Sequence, residues 1–221
     1  AGTTPETVKA GKVATRWAEN LLEAIERSRD TTLERFLFAL GINHVGESTA
    51  KALASWFGDL GLIRHLPWPL FRRVPDIGGE VARSIGHFLD QPGNQQAVDD
   101  LLARGVVIGD AHPPSPKLRG SLGLAQLLVD LEIPKVTARR AEQLAEAFPD
   151  GDALANGDEA AFVAAGLPGE TAASLAGWLS VPANEQLLLA SSEAIRRVLA
   201  LVPEDADVAT GPLDGQVVVL T

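Results

Sequence analysis

Apolar residues in this chain recur at helical spacing and are broken every dozen or so positions by short polar or glycine-bearing turns. A first helix is predicted over 13–29, with Trp17, Leu21, Leu22 and Ile25 on one stripe. Thr31 or Thr32 offers a side-chain oxygen to cap the next helix, which runs to about residue 40. The turn INHVG follows, and 48–57 form a second arm. The segment GLIRHLPWPLF reads as a connector with a short helix at most. Residues 70–74, the turn PDIGG and a helix over 80–89 make a further unit. Pro92 stops it, and 94–104 begin another helix. Prolines in GDAHPPSPK, 109–117, set a semi-rigid linker. The stretch AEAFPDGDALANGDEAAF reads as a spacer between paired hairpins. Residues 203–212 are an acidic linker, and LDGQVVVLT carries a turn at Asp214-Gly215 followed by a buried-strand pattern over 217–220.

The turns repeat. Five frames share the order apolar-x-x-apolar-small-x-x-x-Ala: AGKVATRWA, INHVGESTA, VPDIGGEVA, IPKVTARRA and AGLPGETAA, the last in a looser register. Their alanines, Ala18, Ala50, Ala82, Ala141 and Ala172, stand 32, 32, 59 and 31 residues apart. A period near thirty that precedes a helical pattern each time describes a helix–turn–helix unit used repeatedly. A longer repeat overlies it. With an offset of 91, Leu33, Leu37, Leu40, Ile42, Val45, Ala50, Leu53 and Phe57 fall on Leu124, Leu128, Leu131, Ile133, Val136, Ala141, Leu144 and Phe148. With an offset of 90, Gly79, Glu80, Ala82, Leu89, Pro92, Asn94 and Gln96 fall on Gly169, Glu170, Ala172, Leu179, Pro182, Asn184 and Gln186. The predicted fold is all-α, with tandem helix-turn-helix repeats in two related domains at 8–108 and 118–202 and a truncated terminal strand.

Composition narrows the chemistry. The 221 residues are 46% hydrophobic, enough for one or two cores. Cysteine is absent, which removes disulfides and thiolate metal sites from this stretch. His44, His65, His87 and His112 lack ligand spacing and read as surface or capping residues. No apolar run approaches a membrane span and no signal-peptide pattern opens the chain, so a soluble, cytoplasmic protein is expected. The net charge of -10 counts against a simple polyanion binder, whose affinity comes from Lys and Arg displacing counterions. The charge is uneven, however. Residues 33–110 hold nine acids and seven bases, 118–202 eleven acids and six bases, and 203–221 four acids and no base. On charge alone the first copy is the better place for a phosphate.

A tight turn between two antiparallel helices leaves the first N–H groups of the second helix without intrahelical partners, at the positive end of its dipole. An anion fits there without a basic side chain, and glycine lets it approach the backbone. Candidate contacts are the backbone at Val45, Gly46, Glu47 and Ser48 and at Ile77, Gly78 and Gly79, with Lys51 and Arg83 on the second arms. The alternative for both glycines is a purely steric need in the turn, and for both basic residues a solvated helix face. Asp76 weighs against binding. In the second copy the small position is Thr137 or Pro168, and proline has no N–H to donate. Lys135, Arg139 and Arg140 are the densest basic group there, beside Glu132 and Glu142, and read either as side-chain contacts or as ordinary surface. Trp17, Trp56 and Trp178 sit at apolar helix positions and are expected in the core. Trp68, between two prolines, is expected to be partly exposed.

These frames resemble helix-hairpin-helix motifs, whose usual form is close to LPGIGPKTA. VPDIGGEVA keeps Val74, Pro75, Ile77, Gly78 and Ala82, and INHVGESTA keeps Ile42, Val45, Gly46, Thr49 and Ala50. The stretch AENLLEAIERSRDTTLERFLFALGINHVGESTAKALASWFG is similar to the start of the helix-hairpin-helix domain of bacterial NAD-dependent DNA ligases. VPDIGGEVARSIGHFLDQPGNQQAVDDLLARGVVI resembles its closing portion, and LDGQVVVLT the opening of the BRCT domain that follows. The resemblance covers 8–108 and 213–221. It implies a nick-sealing enzyme of DNA replication and repair, associated with the nucleoid, that adenylates a lysine with NAD and uses Mg and a structural Zn elsewhere in its chain. Its partners would be nicked double-stranded DNA and the ligase's other domains. The adenylation domain, OB-fold and four-cysteine zinc finger of that family have no counterpart in these 221 residues, so this stretch is expected to bind the duplex backbone without catalysing. The copy at 118–202 departs from the family pattern. Two rival readings remain, a protein-interaction or spacer module with little DNA contact and a stand-alone helix-hairpin-helix repair protein.

Overall fold

A computed structural model describes residues 12–203. The predicted terminal strand and most of the acidic linker lie outside the described residues. Helix α1 (Lys12–Arg29) leads into α2 (Leu33–Ala39), α3 (Glu47–Phe57) and α4 (Leu60–Ile63). A 3-10 helix (Trp68–Arg73), α5 (Gly79–Asp90) and α6 (Pro92–Ala103) complete the first copy. After a second 3-10 turn (Pro116–Leu118), α7 (Leu124–Asp130), α8 (Ala138–Ala147), α9 (Gly151–Ala155), α10 (Glu159–Ala164), α11 (Gly169–Leu179) and α12 (Pro182–Leu201) follow. The only described strands are β1 (Asp30–Thr31) and β2 (Val107–Ile108), a parallel pair that ties the start of the first copy to its end.

Local chemistry accounts for the boundaries. Thr32 caps α2 by accepting from the Arg35 N–H at 3.3 Å. Asp59, Asp150 and Asp158 cap α4, α9 and α10 in the same way. Pro92 and Pro182 occupy the first position of α6 and α12, where a missing N–H costs no hydrogen bond.

The duplication is visible in individual contacts. Phe57 and Phe71 meet edge to face at 5.8 Å, and Phe148 and Phe162 repeat that contact at 5.8 Å. The Ser84 hydroxyl donates to the Asn43 carbonyl at 2.8 Å, and Ser174 donates to that of Pro134 at 2.9 Å. The Asn94 side chain donates to the Phe88 carbonyl, and Asn184 to that of Trp178. Each pair is related by the offsets of 91 and 90 seen in the sequence. The fold is all-α, built of tandem hairpins in two related helical units.

Two apolar clusters form the interior. One centres on Leu37, Leu53, Phe57, Ile63, Phe71 and Ile85, and the other on Leu128, Leu144, Leu154, Phe162, Leu175 and Leu188. The first cluster also takes in Leu118, Leu122, Ala194, Val198 and Val202, which follow the linker in sequence. Helix α12 therefore starts in the second cluster and ends in the first, with Ile195 packed on both. The proline-bearing segment is pinned as well: the Ser115 N–H donates to the Trp56 carbonyl and His112 N–H to that of Gly58, each at 2.9 Å.

Ala14, the small position of AGKVATRWA, lies in the first turn of α1, and the frame's opening residues 10 and 11 lie outside the described residues. Two expectations change. Trp17 is not core: it is 68% exposed, and Leu21, Leu22 and Ile25 are exposed beside it. A helical stripe shows that a face can be buried, but not that a partner surface is present. The stretch read as a spacer instead contributes Leu154 and Phe162, both fully buried, to the second core. Trp56 and Trp178 are half-buried against the two cores, and Trp68 is likewise half-buried.

Candidate nucleic-acid interface

Four hairpins present the N-terminus of a helix, and one backbone device shapes all of them. The residue two before each N-cap has a left-handed backbone: His44 (φ 65), Asp76 (φ 66), Lys135 (φ 67) and Gly166 (φ 94). That reversal turns the chain into the second arm. Ile42 and Val45 of the first hairpin, and Val74 and Ile77 of the second, point into the core and anchor the turn. The Val45 N–H donates to the Ile42 carbonyl at 3.0 Å, and the Ile77 N–H to Val74 at 3.2 Å. Those two amides close the turn and are taken. The apolar frame thus holds the loop, while the groups that follow it face outward.

In the first hairpin, Gly46 is the N-cap of α3, extended at φ -88 and ψ -178. Gly46, Glu47 and Ser48 are exposed, and their N–H groups have no hydrogen-bond partner among the described residues. A Cβ placed on Gly46 would meet nothing within 4 Å, so the glycine answers no steric demand of the turn and leaves an open approach to bare amides. Lys51 stands exposed one turn further along α3. Glu47 puts a carboxylate in the first turn, which suits the helix dipole and opposes an incoming phosphate.

The second hairpin is adjacent. His44 Nε2 stands 3.7 Å from Glu80 of α5, and Ser84 of α5 holds the Asn43 carbonyl. Gly78 is the N-cap of α5, also extended and open within 4 Å. Gly79 is different. A Cβ there would lie 3.1 Å from Glu132 Oε1 and 3.2 Å from Arg83 Nη1. Arg83 lies over the Trp68 ring, 4.5 Å from its centre, and forms an ion pair with Glu132.

The group around Glu132 is the main feature that sequence reading missed. Arg72 and Arg73, at the end of the 3-10 helix, join Arg83 to face Asp130 and Glu132 from the end of α7 and the turn after it. Arg72 Nη1 donates to Glu132 Oε1 at 3.0 Å and to the Asp130 carbonyl at 2.9 Å. Arg73 forms a close ion pair with the Asp130 carboxylate, and these side chains are 12% and 4% exposed. The adjacent pair Arg72-Arg73 just before the turn was the available signal. Nothing local could tell that its partners lay 57 to 60 residues away.

Burial pushes the Asp130 carboxyl from its ordinary 3.8 up to about 6, against the opposing pull of Arg73 and Arg72. Burial likewise lowers Arg73. A folded value above the unfolded one means that the folded state takes up its proton first. Through this group stability rises as pH falls through about 6 toward 3.8, and that gain is lost as pH rises through the folded value. The expected result is that wild type gains melting temperature relative to Asp130→Asn between pH 7 and pH 5. A difference that does not vary with pH in paired calorimetric scans would refute this.

The second copy offers less to an anion. Thr137 replaces Gly46 as the N-cap of α8, and Pro168 replaces Gly78 as that of α11. The Thr171 N–H is drawn back to the Pro168 carbonyl at 2.8 Å. By the same offsets Glu142 stands where Lys51 stood, and Ala173 where Arg83 stood. Lys135 pairs with Glu170 at 2.8 Å, and Arg140 donates to the Lys135 carbonyl at 2.6 Å. Arg139 is exposed on α8. The hydrogen bond and charge of Lys135 hold the Glu170 carboxyl below its ordinary value.

Among the described residues no group of three or more His, Asp or Glu is placed to hold a metal ion. No described helix is long and apolar enough to cross a membrane.

Comparisons with known proteins agree with the hairpin geometry. Residues 35–98 match the helix-hairpin-helix motif family. The chain is 69% identical over 210 residues to the DNA ligase of Xanthomonas oryzae pv. oryzae (strain KACC10331 / KXO85), covering 95% of this chain and 25% of that protein. It is 66% identical to the DNA ligase of Xanthomonas campestris pv. campestris (strain B100), with the same coverage. It is 63% identical to that of Stenotrophomonas maltophilia (strain R551-3), covering 95% of this chain and 26% of that protein. The chain is therefore homologous to a portion of these DNA ligases, spanning about a quarter of their length, and carries over residues 35–98 a match to the helix-hairpin-helix motif.

Proposed function

We propose that this chain is the part of a NAD-dependent DNA ligase that holds the backbone of a nicked duplex, without reading its sequence and without catalysing. The observation that carries the reading is the open row of unpartnered amides at Gly46, Glu47 and Ser48, at the positive end of an 11-residue helix and beside Lys51. Amides and a helix dipole recognise a phosphate oxygen but not a base. The role in the larger enzyme would be to help enclose the duplex while other domains carry out sealing with NAD, Mg and Zn. Replication and repair at the nucleoid would be its setting.

A backbone grip of this kind is weak and indifferent to sequence. The chain is expected to bind two nicked duplexes of unrelated sequence equally, with a dissociation constant on the order of 10⁻⁵ M at moderate salt. The slope of log affinity on log salt should be shallow, at about -1 to -3, because few cations line the open hairpin. Fluorescence anisotropy over a salt series measures both. A marked preference for one sequence contradicts a backbone-only contact.

A second reading applies to 118–202. Thr137, Pro168, Glu142 and Ala173 stand where the first copy has Gly46, Gly78, Lys51 and Arg83, which favours an intramolecular or protein-binding role there over DNA contact.

A further inference from the structure

We propose that Glu132 is an internal stand-in for a DNA phosphate: the second copy seats this carboxylate on the second hairpin of the first copy, and a duplex must displace it before that hairpin can take hold. The inference rests on the backbone-grip reading above and adds a competitor built into the chain.

The carboxylate engages the cations that a phosphate at this hairpin would use, beside the helix end; among the described residues no backbone N–H donates to it. One oxygen accepts from Arg72 at 3.0 Å and the other from Arg83, the basic residue of the second arm. The first oxygen lies over Gly79, the first residue of a 12-residue helix, so close that a Cβ at Gly79 would come within 3.1 Å of it. Carboxylate and phosphate oxygens recruit the same guanidinium forks and the same helix ends. The turn at this position takes a left-handed residue in both copies. Glu132 has φ 54, and the matching residue of the first copy is Gly41, φ 65. A left-handed glutamate is unfavourable where a glycine would be at ease, and such an outlier is retained where the side chain is held by its surroundings.

The contact is built to be competed for. The Glu132 side chain is 47% exposed and that of Arg83 is 49% exposed, so water and a larger anion both reach the pair. Asp130 anchors the same turn by its buried pair with Arg73, so Glu132 can swing away without separating the copies. The hydrogen bond from Arg83, together with the nearby charge of Arg83 and Arg72, holds the Glu132 carboxyl below its ordinary value and keeps it an anion at neutral pH. The two N-cap glycines are equally open, with nothing within 4 Å of a Cβ at Gly46 or Gly78, so the carboxylate covers Gly79, Arg72 and Arg83 and not the N-cap itself. In the resting chain the second hairpin's arginines already hold a carboxylate, and the first hairpin meets no such group at Gly46.

The test compares wild type, Glu132→Gln and Glu132→Gln/Arg83→Ala in the 221-residue chain, by anisotropy with a labelled nicked duplex. Glutamine keeps the shape and one acceptor but loses the charge that competes with phosphate. The single variant is expected to bind about five- to tenfold more tightly, with a salt slope steeper by about 1 to 2 for the added phosphate contacts. Removing Arg83 as well should cancel the gain. The amide signal of Gly79 should also move on adding inorganic phosphate at constant ionic strength in Glu132→Gln but not in wild type. That reading holds even if the duplex gain is masked by a loosened second copy. Binding that weakens in Gly46→Val but is equal in wild type and Glu132→Gln, with Gly79 unmoved in both, overturns this inference and leaves the backbone grip standing. No duplex binding by any of these proteins overturns both.

Discussion

Gly46→Val lowers duplex affinity about tenfold while the fold melts as before. The two halves of that expectation come from the same geometry. Gly46 is extended, in a backbone region open to any residue, and a Cβ meets nothing within 4 Å, so valine fits without strain or collision. The residue is exposed, and no core contact is lost. Outside the turn, however, the two γ-methyl groups shade the N–H groups of Glu47 and Ser48 from a phosphate oxygen. Losing one or two charge-assisted hydrogen bonds corresponds to about 1.4 kcal/mol or more, a tenfold change in affinity. Anisotropy with a nicked duplex, paired with thermal melts by circular dichroism, reads both halves. Unchanged affinity with an unchanged melt would remove the first hairpin from the interface.

The second large effect concerns how the two copies hold together. Asp130→Ala is expected to cost about 3 kcal/mol, because it leaves the Arg73 guanidinium buried without its counter-charge. Arg73 already has one unpartnered buried nitrogen, Nε, so there is little slack. Over a chain of this size that cost corresponds to a fall in melting temperature of roughly 6 to 12 °C. Asp130→Asn should lose much less, since an amide oxygen can still accept from Arg73. Its neutrality also avoids the cost of burying a charge, the same cost that pushes the native carboxyl up to about 6. Calorimetry on the two variants separates charge from hydrogen bonding. Equal melting temperatures for the alanine variant and wild type would mean that Arg73 finds solvent or another acceptor, and that α12, the pinned linker and the Glu132 contacts join the copies without this pair.

Most of the architecture could be read from spacing, because a hairpin repeat is specified locally. The apolar pair flanking each turn, the small N-cap and the alanine buried four residues later mark four of the hairpins without any knowledge of their neighbours: Ala50, Ala82, Ala141 and Ala172 are all fully buried. The duplication was legible because both copies keep the same core-facing leucines and the same helix-starting prolines. Trp17 was misplaced because amphipathic spacing predicts a face, not its partner.

The candidate site was legible only in its local part. The open amides at Gly46 follow from helix ends and glycine, both of which are properties of adjacent residues. The Arg72, Arg73 and Arg83 cluster with Asp130 and Glu132 is a property of two segments brought together by the core, so Arg83 could be named as a candidate while its engagement could not. Glu132 looked like an acidic neighbour that diluted the basic group at Lys135, Arg139 and Arg140. In the fold it faces the other way, onto the first copy, and Lys135 has a different partner, Glu170.

The most direct measurement of the central claim is an amide-resolved NMR titration of the chain with nicked duplex. The account predicts that the N–H signals of Gly46, Glu47 and Ser48 shift first and most, independent of base sequence, while those of Val45 and Ile77, committed to closing their turns, move little. Binding that shifts signals of the second copy or of α1 and leaves Gly46, Glu47 and Ser48 where they were would contradict it.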